Sequence, residues 1–207
     1  MLIVAFPELQ RRMDHAGLKM SYDGIDEAAH FSVYHMHEWH CGYDPAGLLR
    51  VKPDGTLSQQ ASFEGPRRAF YADLNEMMCF LFELLDIFKE DHIILAPFFH
   101  YYPFVLSAEK NDIYQETLDF LHRNHLRKDS RAGVELSLPE NRDVMTMAVE
   151  GAFRDVTQLC IFAKKTGFLI APNHHFEVVF YAANTTEIEH AAVSSLKKYP
   201  NLCFFKN

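Results

Sequence analysis

The chain has 207 residues, of which 48% are hydrophobic and 23% charged, with a formal net charge of −8. These proportions exclude a disordered chain, and at this length about 70% of the unfolded surface can be buried, so no staple is needed. The acidic balance excludes a general nucleic-acid binder, which needs a basic footprint to displace counterions from phosphates.

At the N-terminus the apolar run is short, and Arg11 and Arg12 follow it where an export signal would have them precede it, so no export is expected. Pro7 to about Met13 reads as a short helix stopped by Gly17, and residues 31–39 read as a strand. In 48–63, Pro53, Asp54 and Gly55 supply the preset φ, the tolerant centre and the positive φ of a hairpin turn. Asp73 with Glu76 predicts an N-terminal capping pair for a helix running to Lys89, with Leu74, Met77, Met78, Leu81, Leu84, Leu85 and Phe88 on one face. Phe80, Phe82 and Ile87 widen that face beyond what a surface helix needs. Residues 92–107 follow as an extended segment, in which Pro97 and Pro103 deny ladder donors and predict a sheet edge or a bent strand.

Ser107 opens a third predicted helix, to residue 122, and Val134–Leu138 reads as a short strand. Ser137 with Glu140 predicts a capping box for a fourth helix, 139–154. Three short runs rich in β-branched and aromatic residues then lie between tight turns, predicting an antiparallel meander over 157–182. Thr186 with Glu189 caps a last predicted helix, 186–198, and Leu202–Phe205 reads as an edge strand. The fold expected is α+β: an antiparallel sheet, from the hairpin 48–63 and the meander 157–182, covered by about four helices in a single domain over 1–207. The one place for a sub-boundary is near 127–133.

The four cysteines, Cys41, Cys79, Cys160 and Cys203, form no CxxC, and Cys79 and Cys160 sit in apolar runs. They predict reduced thiols packed as small hydrophobes in a cytoplasmic protein. The longest uncharged apolar runs fall far short of the roughly 20 residues that span a bilayer, so no membrane association is expected.

The densest chemical constellation is His35, His37 and His40, with Glu38, Cys41 and Asp44 around it. Neutral imidazoles at this density can hold zinc or a similar divalent metal, and on a strand His35 and His37 would share one face. A metal-dependent hydrolase would use these three as ligands and Glu38 or Asp44 as general base. The competing reading is a half-exposed strand whose histidines face solvent. His174 and His175 occupy a turn, a good place for a catalytic histidine, although turns also recruit Asn and His for backbone reasons. Phosphate-loop, dinucleotide, nucleophile-elbow, HExxH and kinase signatures are all missing from the sequence.

The functional expectation is therefore a non-catalytic protein-binding module without a cofactor, of the class that includes toxin-neutralising immunity proteins, taking a partner with a basic surface. Its expected carboxylates are Glu76, Glu83, Asp86, Glu90 and Asp91, and its aromatic anchors Phe98, Phe99, Tyr101 and Tyr102. The metal-dependent hydrolase is the first alternative, and a pocket for a small apolar ligand along the Phe/Met stripe of 77–88 is the second.

Overall fold

The computed structural model describes residues 1–20, 25–26, 28–36, 39–41, 48–50, 64–97 and 112–206. Strand β1 (Leu2–Val4) and helix α1 (Phe6–His15) lead into strands β2 (Lys19–Met20), β3 (Ile25–Asp26), β4 (Ala29–His35), β5 (Trp39–Cys41) and β6 (Leu48–Arg50). Helix α2 (Glu64–Ile87), strand β7 (His92–Pro97), helix α3 (Asp112–Arg123), strand β8 (Gly133–Ser137) and helix α4 (Arg142–Phe153) follow. Strands β9 (Leu159–Ala163), β10 (Phe168–Asn173) and β11 (Glu177–Ala182), helix α5 (Thr186–Leu196) and strand β12 (Leu202–Phe205) complete the order.

Eight strands form one antiparallel sheet in the order β1-β8-β7-β9-β10-β11-β4-β12. The expected α+β architecture is therefore present, and the predicted meander forms the middle of the sheet as β9, β10 and β11. Of the predicted hairpin 48–63, residues 48–50 pair with 39–41 in a separate two-stranded ladder. Its turn lies outside the described residues.

Strand β9 is buried along its whole length and β10 along all but its last residue, as strands covered on both faces must be. On one face Ile93, Leu95, Ile161, Phe168 and Ile170 pack in the main core with Phe80, Leu121, Val149 and Ile188 of the four long helices. On the other, Ile94, Ala96, Cys160, Phe162 and Leu169 pack with Leu9 and Met13 of α1. The two sets alternate along the strands, the period-2 rule that sends successive side chains to opposite faces.

Several local readings are corrected. Helix α2 begins at Glu64, so Asp73 and Glu76 lie inside it and cap nothing. Pro66 falls in the first turn of this helix, where a proline lacks only an N–H that has no intrahelical partner anyway. Helix α4 begins at Arg142, and the side chain of Asn141 donates back to the Ser137 carbonyl (2.8 Å) where a capping box was expected. At α5 the cap falls one residue earlier, with Thr185 bonded to the Glu189 carboxylate. Strand β7 is interior, between β8 and β9, because Pro97 comes only at its end. Among the thiols, Cys79 is exposed rather than packed, Cys203 is half-buried, and burial pushes the Cys160 thiol up to about 12.

One discontinuity in the sheet positions a cavity. Pairing of β9 with β10 runs only from Ala163↔Phe168 to Ile161↔Ile170, while β7–β9 pairing continues to Pro97↔Leu159 and β10–β11 pairing to Asn173↔Glu177. The sheet forks there, at the same end to which His35 and the 174–176 turn belong.

Candidate functional site

The ends of β4, β7 and β10 and the starts of β9 and β11 meet at one rim of the sheet, where His35 and the 174–176 turn also meet. The His35 backbone N–H donates to the Phe176 carbonyl (3.1 Å), and the His35 ring lies edge-on to Phe176 with centroids 5.6 Å apart. Strand alternation points His35 inward with Phe31 and Val33, leaving it 2% exposed. Its Nε2 is 3.3 Å from Glu76 Oε2 and 3.6 Å from Asp73 Oδ1 of α2. Glu76 in turn accepts bonds from the Asn201 side chain (2.9 Å) and backbone (3.3 Å).

An imidazole between two carboxylates can relay a proton, but in this buried setting it ties β4 to α2 and to the turn before β12. Burial alone would raise the Glu76 carboxyl; the Asn201 and His35 bonds outweigh it and hold the group below its ordinary 4.5. Because the folded value lies below the unfolded one, the tie stabilises above about pH 4.5 and is lost as pH falls through the depressed value. Glu76→Gln is expected to weaken that dependence, so that its urea midpoint drops less between about pH 6 and pH 3 than the parent's. Equal drops would place the acid sensitivity elsewhere.

A second polar cluster lies across an aromatic wall. Glu150 Oε1 accepts from Tyr71 Oη and Arg154 Nη1, both at 2.9 Å, and Arg154 Nη2 reaches Asp112 Oδ1 at 2.8 Å. Burial raises the Glu150 carboxyl above its ordinary value against the opposing pull of Tyr71 and Arg154. Between the clusters Phe176 stacks on Phe153 (4.2 Å) and meets Phe70 edge-on (5.5 Å). Glu150 was not singled out from the sequence, although a lone carboxylate inside the apolar run MAVEGAF was the available signal.

Of the three predicted metal ligands, His35 is placed against Asp73 and Glu76, while the side chains of His37 and His40 lie outside the described residues. Strand β4 is Ala29–His35, so His35 is its last residue. Among the described residues no group of three or more His, Cys, Asp or Glu is arranged to hold a metal ion.

The predicted carboxylate row on α2 is largely committed within the chain. Glu76 holds Asn201; Glu83 accepts from Ser195, Lys198 and Tyr199 at 2.7–3.0 Å. Glu90, 3% exposed, accepts from the Lys165 and Thr166 backbone and the Thr166 hydroxyl. Asp86 pairs with Arg142 at 3.1 Å on the surface, and Asp91 is exposed. Phe98, Phe99, Tyr101 and Tyr102 lie outside the described residues. The Met77 to Leu85 stripe is filled core.

A different acidic feature lies between α3 and α4. Glu116, Asp119 and Asp143 line a groove of about 670 Å³ together with Val144, Met147, His122 and Arg123. Pattern reading missed it because the carboxylates sit on two helices that only the tertiary fold brings side by side. No protein-family profile, curated protein or solved structure matches the chain.

Proposed function

We propose that the chain is a non-catalytic protein-binding module that takes a basic segment of a partner protein into the α3/α4 groove. The observation that carries this reading is the groove's composition: three carboxylates against one guanidinium, with Val144 and Met147 as apolar lining. Glu116 and Asp143 have no ion pair among the described residues, whereas the α2 carboxylates would have to be taken from Lys198, Tyr199 or Asn201. Long-range attraction by a chain at −8 would steer the encounter, and the adaptable thioether of Met147 would fit the partner's apolar side chains. Neutralisation of a basic toxin is the form of this function that the acidic, motif-poor composition supports.

The test uses the protein encoded beside this chain's gene. Association is expected to slow steeply between about 50 and 500 mM salt, as the screening length shortens from roughly 14 to 4 Å. Glu116→Lys combined with Asp143→Lys should cut the on-rate at least about tenfold with an unchanged Tm, while Asp86→Lys leaves it unaltered. An on-rate indifferent to salt and to the double variant refutes the reading. If Asp86→Lys slows association as strongly, the site belongs to α2.

A further inference from the structure

We infer that the groove between the end of α1 and the β9–β10 turn is a binding site for a small organic phosphate, held through its phosphomonoester dianion. The groove has a volume of about 560 Å³ and lies on the face of the sheet opposite the α3/α4 groove, so a phosphate here and a protein partner there do not compete for space. Its described lining carries four permanent cations, Arg11 and Arg12 from the helix and Lys164 and Lys165 from the turn, against one carboxylate, Glu8. In a chain at −8 this is a local reversal of sign. A helix C-terminus attracts basic residues for its own sake, which accounts for Arg12 and His15 but not for two lysines brought by a turn distant in sequence.

The lysine wall is fixed from behind. The buried Glu90 carboxylate accepts from the Lys165 and Thr166 backbone and from the Thr166 hydroxyl. Gly167 takes φ 76°, and a Cβ there would lie 3.0 Å from the Ala16 Cβ, so the turn presses on the end of α1 where glycine alone fits without strain. Both walls are therefore in place before a ligand arrives, which lowers the ordering cost of binding.

The existing partners of these cations leave the mouth of the groove positive. Arg11 and Arg12 share Glu8, while Arg12 and Lys164 share Glu135, whose side chain is only 11% exposed. Lys165 Nζ reaches a backbone carbonyl, that of Phe88, at 3.3 Å. The Arg11 side chain is 75% exposed, and an exposed pair such as Arg11–Glu8 is weak enough for a ligand to displace. A guanidinium takes two oxygens in its fork, so a ligand that joins it to the lysines across the groove needs a third oxygen and a second charge. A carboxylate has neither. A phosphomonoester, at about −1.5 to −2 near neutral pH, has both. Ala16 and Phe162 form the apolar part of the lining, on the side left for the ligand's organic group.

Phenyl phosphate is the probe, with inorganic phosphate and benzoate as counterparts that lack the organic group or the second charge, each followed by amide NMR shifts of the full chain at about pH 7.5. Phenyl phosphate is expected to give saturable shifts confined to 8–16 and 162–167, inorganic phosphate weaker ones at the same residues and benzoate none. Arg11→Gln combined with Lys165→Gln, both at exposed side chains, should weaken phenyl phosphate at least about tenfold at unchanged Tm. Glu8→Gln removes the competing carboxylate and should tighten binding about threefold. Asp14→Asn makes the same change of net charge at an α1 residue outside the described lining and should leave the affinity unaltered. No saturable shift up to about 10 mM phenyl phosphate would leave only a solvated basic face and overturn the inference. Benzoate binding as tightly overturns the phosphate assignment, and equal tightening by Glu8→Gln and Asp14→Asn overturns the site by reducing it to overall charge.

Discussion

Arg154→Met is expected to destabilise the protein by about 3–5 kcal/mol, because it leaves Glu150 buried without its compensating cation. Glu150 is 8% exposed, and with Arg154 gone only the Tyr71 hydroxyl still bonds it among the described residues. The Asp112 half of the arrangement adds little, since the Asp112 side chain is 48% exposed and a screened pair contributes about 0–1 kcal/mol. For a domain of this size each kcal/mol is worth roughly 2–4 °C, so Tm should fall by about 6–20 °C. The pH dependence identifies the cause. Burial already raises the Glu150 carboxyl, so its contribution is full below about pH 4.5 and is lost as pH rises through the folded value. Removing the guanidinium raises that value further, and the cost of Arg154→Met should therefore be less than half as large near pH 4 as near pH 7. Adding Glu150→Gln to the variant should recover part of the loss at neutral pH. A cost below about 1 kcal/mol, or one that does not change with pH, would show that the triad is not what Arg154 supports.

Phe176→Ala is expected to cost about 3–5 kcal/mol, through the cavity it opens between α2, α4 and the β10–β11 turn. The ring is fully buried, stacks on Phe153 and meets Phe70 and His35 at their edges. Its backbone sits at φ 58°, a conformation that side chains resist and glycine adopts freely. Phe176→Gly should consequently be no worse than Phe176→Ala although it removes one more carbon, because relief of the backbone offsets about 1 kcal/mol. Urea unfolding of both variants with an unchanged m-value is the measurement. If glycine proves worse than alanine by more than about 1 kcal/mol, the strained backbone at this turn carries no cost that the ring's burial must offset.

The meander of β9, β10 and β11 was legible because its strands are consecutive, short and separated by tight turns, so local pattern and tertiary pairing agree. Strands β4 and β12 were likewise read from local runs, but nothing local indicated that they pair with each other and with β11. That pairing places His35 against Phe176, and so brings His35 and the 174–176 turn, distant in sequence, to one rim. The interior place of β7 was misread, since a proline at a strand's end and one in its middle look alike in sequence until the neighbouring strands are known.

The candidate sites divide in the same way. Composition by itself determined the acidic character and apolar content of the chain, because both depend on what the residues are. Which carboxylates are available was decided by the tertiary structure: Glu83 faces Lys198 and Tyr199 from α5, Glu90 meets the turn after β9, and Glu150 is enclosed with Arg154. Glu116, Asp119 and Asp143 become one acidic groove only when α3 lies beside α4. Periodicity predicts which face of an element is apolar, since that follows from the residue spacing of helices and strands. It carries no information about which other element will cover that face, and here burial, pairing and charge at every candidate site depend on that choice.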